Sequence, residues 1–315
     1  MVVLQPNAGH GSRLKTALHR SQQAPAILGQ EGTGGLLSRW YTILDNDGSN
    51  DFDSLEKLFF SCLQSADDKS ALLCLERLTH RFGPSNERIM ALRSIYDEAI
   101  AEDKLSLERC LKKYDDILSQ NPVNMPILKR RITLLRSLSR PTEAISSLIQ
   151  LLGATPTDAE AWCELAELYH SQGMCPQAIF SLEEALLGVP HAWNVHARLG
   201  EILYIYAGSL EDEAMCRQLH SSIRHFCRSV ELCDGYLRGF YGLALATARL
   251  SVDKVPETIS KDPPLGRESL RRLHDLATQR LKNILTTQCS LEPRLREYED
   301  HELAAVKCLL SGSSE

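Results

Sequence analysis

The sequence EAWCELAELYHSQGMCPQAIFSLEEALLGVPH, at residues 160–191, contains two runs of apolar residues with three- and four-residue steps. Such spacing is typical of amphipathic helices, because it places the apolar side chains on one face. Gly173 lies between the two runs and favours a turn. Pro190 follows the second run and cannot continue a helix. The stretch therefore predicts two helices joined by a short turn.

The large and small residues of this pair stand at the spacing of the tetratricopeptide repeat, whose period is about 34 residues. The residues that we predict to form the repeat packing are Trp162, Leu165, Ala166, Tyr169, Ala178, Leu182, Ala185 and Pro190. Ala144 and Pro156 precede Ala178 and Pro190 by one period. The recurrence predicts an all-α tetratricopeptide-repeat superhelix, an α-solenoid, with helices capping its C-terminal end.

Four segments follow from composition and periodicity. Residues 1–36 are rich in Gly, Ser and Gln and predict a disordered arm, with a targeting segment as the alternative. Residues 37–250 carry about five repeat units, of which the outer ones diverge. Residues 251–265 form a polar, proline-bearing linker, and residues 266–315 predict a helical hairpin that caps the array. The sequence AGSLEDEAMC, at residues 207–216, predicts an insertion in an inter-helix loop.

The net charge is −6, and the charged residues form no long run of a single sign. This distribution argues against a nucleic-acid partner. The ten cysteines are scattered without a C-x-x-C pair, which is typical of reduced thiols in a cytosol-like compartment. No apolar stretch approaches the roughly 20 residues that cross a bilayer. We therefore predict that the chain does not itself span a membrane.

No catalytic motif emerges from the sequence. A phosphate-binding loop, a G-x-S-x-G elbow and an H-E-x-x-H helix are all missing from it. Cys216, His220, His225 and Cys227 have metal-ligating atoms, but their spacing favours ordinary helix residues over a zinc site. The sequence predicts no catalytic residue, no cofactor and no metal, and an enzyme with an unrecognised site is the weakest hypothesis.

The remaining candidate for a functional site is a protein-binding surface. In superhelices of this kind the first helix of each pair lines the concave face, where partner proteins bind. The predicted protein-binding residues on that face are Lys129, Arg130, Thr133, Arg136, Glu164, Glu167, His170, Asn194, Arg198, Glu201 and Tyr204. Any single one of them could equally be a solvated polar residue, because binding energy concentrates in few positions.

Residues 160–191, together with ALLCLERLTHRFGPS, KKYDDILSQNP, LKRRITLLRS and GFYGLALA, resemble the family of subunit 2 of the endoplasmic reticulum membrane protein complex. The resemblance runs from about residue 71 to 250. It implies a non-catalytic scaffold on the cytosolic face of the endoplasmic reticulum membrane, bound to the other subunits of that complex. It further implies a role in inserting tail-anchored and multipass membrane proteins.

The alternative within the same fold is a generic tetratricopeptide adaptor or co-chaperone that binds peptide motifs, with a cytoplasmic location. Lys129 and Arg198 match the residues with which such adaptors clamp a C-terminal carboxylate. Thr133 and Asn194 do not match, and Glu164 places an acid where an asparagine is expected. The sequence therefore disfavours the clamp.

Overall fold

A computed structural model of the chain describes residues 10–29, 48–252, 266–291 and 298–312. The described residues form helices and the short turns between them, and they contain no strand. Their bounds are α1 His10–Gly29, α2 Gly48–Gln64, α3 Asp68–Phe82, α4 Glu87–Ala99, α5 Lys104–Gln120, α6 Met125–Ser137, α7 Pro141–Ala154, α8 Ala159–Ser171, α9 Cys175–Gly188, α10 Trp193–Ala207, α11 Asp212–Leu232, α12 Leu237–Val252, α13 Arg267–Ser290 and α14 Asp300–Gly312. This all-helical succession confirms the all-α tetratricopeptide-repeat α-solenoid fold.

Helix starts and turns repeat with the period of the sequence. Asn124 and Asp158, one period apart, each accept a hydrogen bond from the backbone N–H three residues later, at 3.2 and 3.1 Å. Such caps satisfy donors that the first helical turn leaves unpaired. Ser139 and Gly173, also one period apart, adopt left-handed φ angles of 57° and 74° at the turn inside each pair. The local chemistry of the repeat thus marks where α6 and α8 begin and where the turns after them lie.

The chain consists of two compact units, residues 1–147 and residues 148–315. In the first unit the cluster at its N-terminal end is built from α1, α2, α3 and α4, around side chains such as Phe59, Leu75 and Leu78. In the same unit α4, α5 and α6 pack against one another. In the second unit α9 packs between α8 and α10, and the succession α10 to α13 continues the array.

The structure differs from the predicted disordered arm, because α1 lies within residues 1–36. Ala17, Ala24 and Leu28 are buried, and α1 packs on α2 and α3. A guanidinium N–H of Arg77 donates to the carbonyl oxygen of Leu28 at the helix end. Small residues give a weak periodic signal and Pro25 argues against a helix, so tertiary packing overrides the local preference here. Residues 1–9 and 30–36 lie outside the described residues.

The predicted inter-helix insertion at residues 207–216 is also placed differently. Helix α10 ends at Ala207 and α11 begins at Asp212, so half of the extra residues lengthen α11 to 21 residues. Leu219 and Ile223, farther along α11, are fully buried, and that packing extends the helix. The predicted linker lies outside the described residues over 253–265, and the predicted terminal hairpin corresponds to α13 and α14, which contact each other.

Candidate protein-binding face

The residues predicted to form the repeat packing occupy three kinds of position, which are buried, half-buried and exposed. Leu165, Ala166, Ala178, Leu182, Ala185 and Ala144 are at most 3% exposed. Trp162 and Tyr169 are half-buried, and Trp162 donates from Nε1 to the carbonyl oxygen of Pro156 at 2.8 Å. Pro156 and Pro190 are exposed beyond the ends of α7 and α9.

In the first unit, α6 carries four of the predicted binding residues. Lys129, Thr133 and Arg136 are exposed, whereas Arg130 is half-buried. The Thr133 hydroxyl donates to the carbonyl oxygen of Lys129 at 2.9 Å, within the helix. Lys129, Thr133 and Arg136 are therefore accessible to solvent, whereas Arg130 is partly covered by its neighbours.

Arg130 forms an ion pair with Glu98 of α4, donating from Nε to Oε1 at 3.2 Å and from Nη2 to Oε2. The buried Tyr114 of α5 donates its hydroxyl to the same Oε1 at 2.6 Å. Burial, followed by the hydrogen bond and charge of Glu98, raises the pKa of Tyr114. The network joins three helices, so Arg130 stabilises the fold of this unit rather than offering a free cation.

In the second unit, α8 and α10 bring the predicted residues Glu167, Arg198 and Glu201 into one chain of ion pairs. Arg198 donates to both carboxylate oxygens of Glu167, at 2.7 and 2.8 Å, and to Glu201 at 2.9 Å. Arg238 of α12 reaches Glu201 at 3.3 Å. Burial lowers the pKa of Arg198, but the hydrogen bonds with both carboxylates outweigh this and raise it.

The remaining predicted residues of this unit lie on the same two helices, α8 and α10. Glu164 and His170 are half-buried on α8, and Nδ1 of His170 has no hydrogen-bond partner in the described part of the chain. Asn194 is exposed at the start of α10. Tyr204 is half-buried, and the guanidinium carbon of Arg249 lies 5.3 Å from the centroid of its ring.

A cavity of about 570 Å³ opens where the chain of ion pairs ends. Its walls come from α10, α12 and α14, with Tyr204, Tyr241 and Leu245 on the first two helices. Glu201 and Arg238 stand at its polar side. Only Glu201 and Tyr204 of its lining were predicted from the sequence, so the contributions of α12 and α14 were missed.

Phe226 of α11 also lines this cavity, and two glycines make its position possible. Its ring lies 3.1 Å from the point where Gly200 would carry a Cβ, and a Cβ on Gly242 would overlap the same ring. Gly200 and Gly242 lie on consecutive first helices, α10 and α12. Their recurrence in the sequence was the available signal that a large side chain passes between these helices.

The residues considered for a metal site are dispersed. Among the described residues no group of three or more His, Cys, Asp or Glu could hold a metal ion. His225 instead pairs with His196, with their Nδ1 atoms 3.1 Å apart, while Nε2 of His196 donates to the carbonyl oxygen of Pro190 at 3.1 Å. Burial, with the neighbouring His196 and Arg224, lowers the pKa of His225 to about 4.

No helix in the described ranges combines the length and apolarity needed to cross a membrane.

Comparison with known families gives a match to the EMC2 TPR-like repeat domain over residues 80–208. The TPR repeat protein oca3 of Schizosaccharomyces pombe is 31% identical over 256 residues, covering 78% of this chain and 87% of that protein.

Two further relatives are named for one complex. ER membrane protein complex subunit 2-A of Xenopus laevis is 27% identical over 76% of this chain and 78% of its own length. ER membrane protein complex subunit 2 of Saccharomyces cerevisiae is 24% identical over 75% of this chain and 77% of its own length. The chain therefore belongs to the ER membrane protein complex subunit 2 family of tetratricopeptide-repeat proteins.

Proposed function

We propose that this chain is a non-catalytic scaffold subunit of the endoplasmic reticulum membrane protein complex. The observation that carries the proposal is the match to relatives named for that subunit over about three quarters of the chain. In this proposal the chain lies on the cytosolic face of the membrane, is held there by other subunits, and supports the insertion of tail-anchored and multipass membrane proteins.

The geometry of the second unit supports binding to protein surfaces. Arg198 and Glu201 satisfy each other and their neighbours, so the polar part of the face is internally neutralised. The cavity beside them presents Tyr204 and Tyr241, and aromatic side chains are enriched where protein interfaces bury their core. The paired state of Arg198 also disfavours the carboxylate clamp of a co-chaperone.

The test is affinity purification of the tagged chain from membranes dissolved in a mild detergent. We expect a fixed, stoichiometric set of multispanning endoplasmic reticulum proteins in the eluate, identified by mass spectrometry. Tyr204→Ala should reduce the recovery of at least one of them, because it removes an aromatic side chain from the cavity wall.

Leu187→Ala is the matched control, because Leu187 is 79% exposed on α9 and lies outside the cavity. This variant should recover the same set as the wild-type chain. Recovery of chaperones alone, or of no stoichiometric partner, would contradict the proposed function. Equal losses in both variants would contradict the assignment of the binding face.

A further inference from the structure

The C-terminal helix α14 lies over the face that the sequence predicts to bind partners. His301, Glu302, Ala305 and Val306 of α14 form one wall of the cavity, opposite Tyr204 and other residues of α10 and α12. Val306 belongs to the same buried cluster as side chains of α11, α12 and α13. Part of the inner face of the second unit is therefore occupied by a segment of the chain itself.

Few residues of α14 are buried. Of its 13 residues only Leu303 and Val306 are buried, and Leu309 and Leu310 are half-buried. Before the helix, the Tyr298 hydroxyl donates to the carbonyl oxygen of Gly235 and accepts a long hydrogen bond of 3.4 Å from the backbone N–H of Leu237. By comparison, α10 and α12 each contribute at least seven buried residues.

The fit between α14 and its groove is also incomplete. A groove of about 570 Å³, partly open to solvent, lies between α14 and the helices α10 and α12, and the side chains that α14 contributes to its lining include the small Ala305 and Val306. A helix with larger apolar residues at these positions would fill the groove better than α14 does.

We propose that α14 is a displaceable occupant of a helix-binding groove formed by α10, α12 and Phe226. The ligand is an amphipathic helix of a partner protein, with apolar residues at the i, i+3 and i+7 spacing of Leu303, Val306 and Leu310. This deepens the proposed function, on which it rests, by naming the kind of segment that the scaffold takes.

The features of α14 define the chemistry of that ligand. A bulky apolar residue replaces Ala305 and enters the cavity between Tyr204 and Tyr241. An acidic residue in the first turn takes the place of Glu302, on the side of the cavity where Arg238 stands with its side chain 58% exposed. Helix-in-groove recognition commonly uses such a row of apolar anchors, with charges fixing the direction of the helix.

The test uses the purified full-length chain and a fluorescent peptide of residues 298–315 with the substitution Ala305→Leu. Val306→Asp in the chain places a charge in the buried contact of α14 and should release the helix. Ala304→Asp adds the same charge at an exposed position that does not line the cavity. We expect Val306→Asp to bind the peptide at least tenfold more tightly than wild type or Ala304→Asp.

A peptide with Ala305 retained should bind more weakly than the Ala305→Leu peptide, and one with Val306→Asp should not bind. Equal binding by both chain variants would overturn the proposal, as would a Val306→Asp chain that loses helix content well beyond α14. A chain that forms dimers at high concentration would make α14 of a second copy the occupant and would likewise overturn it.

Hydrogen exchange of the wild-type chain gives a second, independent measurement. If α14 is displaceable, its amides should exchange at least a hundredfold faster than those of α10 and α12, because local opening precedes global unfolding. Exchange of α14 at the rate of the whole unit would show that it is an integral part of the core. These measurements use no other subunit, so their failure leaves the copurification test of the proposed function untouched.

Discussion

Replacing Gly242 with alanine tests the packing beneath the cavity more directly than any other single change. On an unobstructed helix, alanine is more favourable than glycine by about 1 kcal/mol. At Gly242 the new Cβ would overlap the ring of Phe226, which is 1% exposed. Forcing an extra carbon into a packed core costs about 1–3 kcal/mol. The overlap is severe, so we expect a net destabilisation of about 1–2 kcal/mol.

Two other glycines supply a graded series. At Gly200 the ring carbons of Phe226 lie 3.1 Å from the added Cβ, so a shift of a few tenths of an ångström suffices and the cost should be smaller. At Gly153 of α7 nothing lies within 4 Å, so alanine should be neutral or stabilising by up to about 1 kcal/mol. The expected order of stability is therefore Gly153→Ala, then Gly200→Ala, then Gly242→Ala.

Urea unfolding followed by circular dichroism measures this order, with the slope of the transition checked for each variant. Phe226→Leu combined with Gly242→Ala isolates the contact, because the smaller side chain makes room for the Cβ. The double variant should be more stable than the sum of the single effects by about 1 kcal/mol or more. Equal stability of Gly242→Ala and Gly153→Ala, or additive effects in the double variant, would refute the packing argument.

Three more outcomes follow from other contacts. Burial lowers the pKa of His225 to about 4, so the unfolded chain binds more protons than the folded chain below pH 6.5. The free energy of unfolding should therefore fall by up to about 3 kcal/mol as the pH drops from 6.5 to 4. His225→Gln should reduce this decline, which thermal melts at several pH values would measure. Tyr114→Phe removes the 2.6 Å hydrogen bond to Glu98 and should cost about 1–2 kcal/mol in urea unfolding, and an unchanged midpoint would contradict the role of the network. Leu165→Glu buries a charge in α8 and should cost several kcal/mol, so an unaltered melting curve would argue against the repeat packing.

The helical pairs could be predicted from the sequence because the period is carried by apolar and small residues, such as Ala166 and Ala178, that belong to one buried cluster. The α1 helix could not, because its buried face consists mainly of alanine and serine, and its stability comes from α2 and α3 rather than from its own pattern. Arg238 was missed because it lies beyond the lengthened α11, where the repeat period no longer locates the inner face. The cavity depends on how α14 docks, which no local pattern encodes.

The predicted protein-binding face of the second unit carries many charged residues, yet the central ones pair with one another. Arg198 is engaged bidentately by Glu167 and again by Glu201, which also pairs with Arg238. A ligand carboxylate that bound Arg198 would have to displace Glu167 or Glu201, so the new hydrogen bonds would only replace those that were lost. The part of this face that can gain free energy by binding is therefore the apolar cavity, where the half-buried Tyr204 and Tyr241 are incompletely covered by a small-residue helix. The ion pairs join α8, α10 and α12 beside this cavity, so recognition at Arg198 is disfavoured and the apolar contacts of the cavity supply most of the binding free energy.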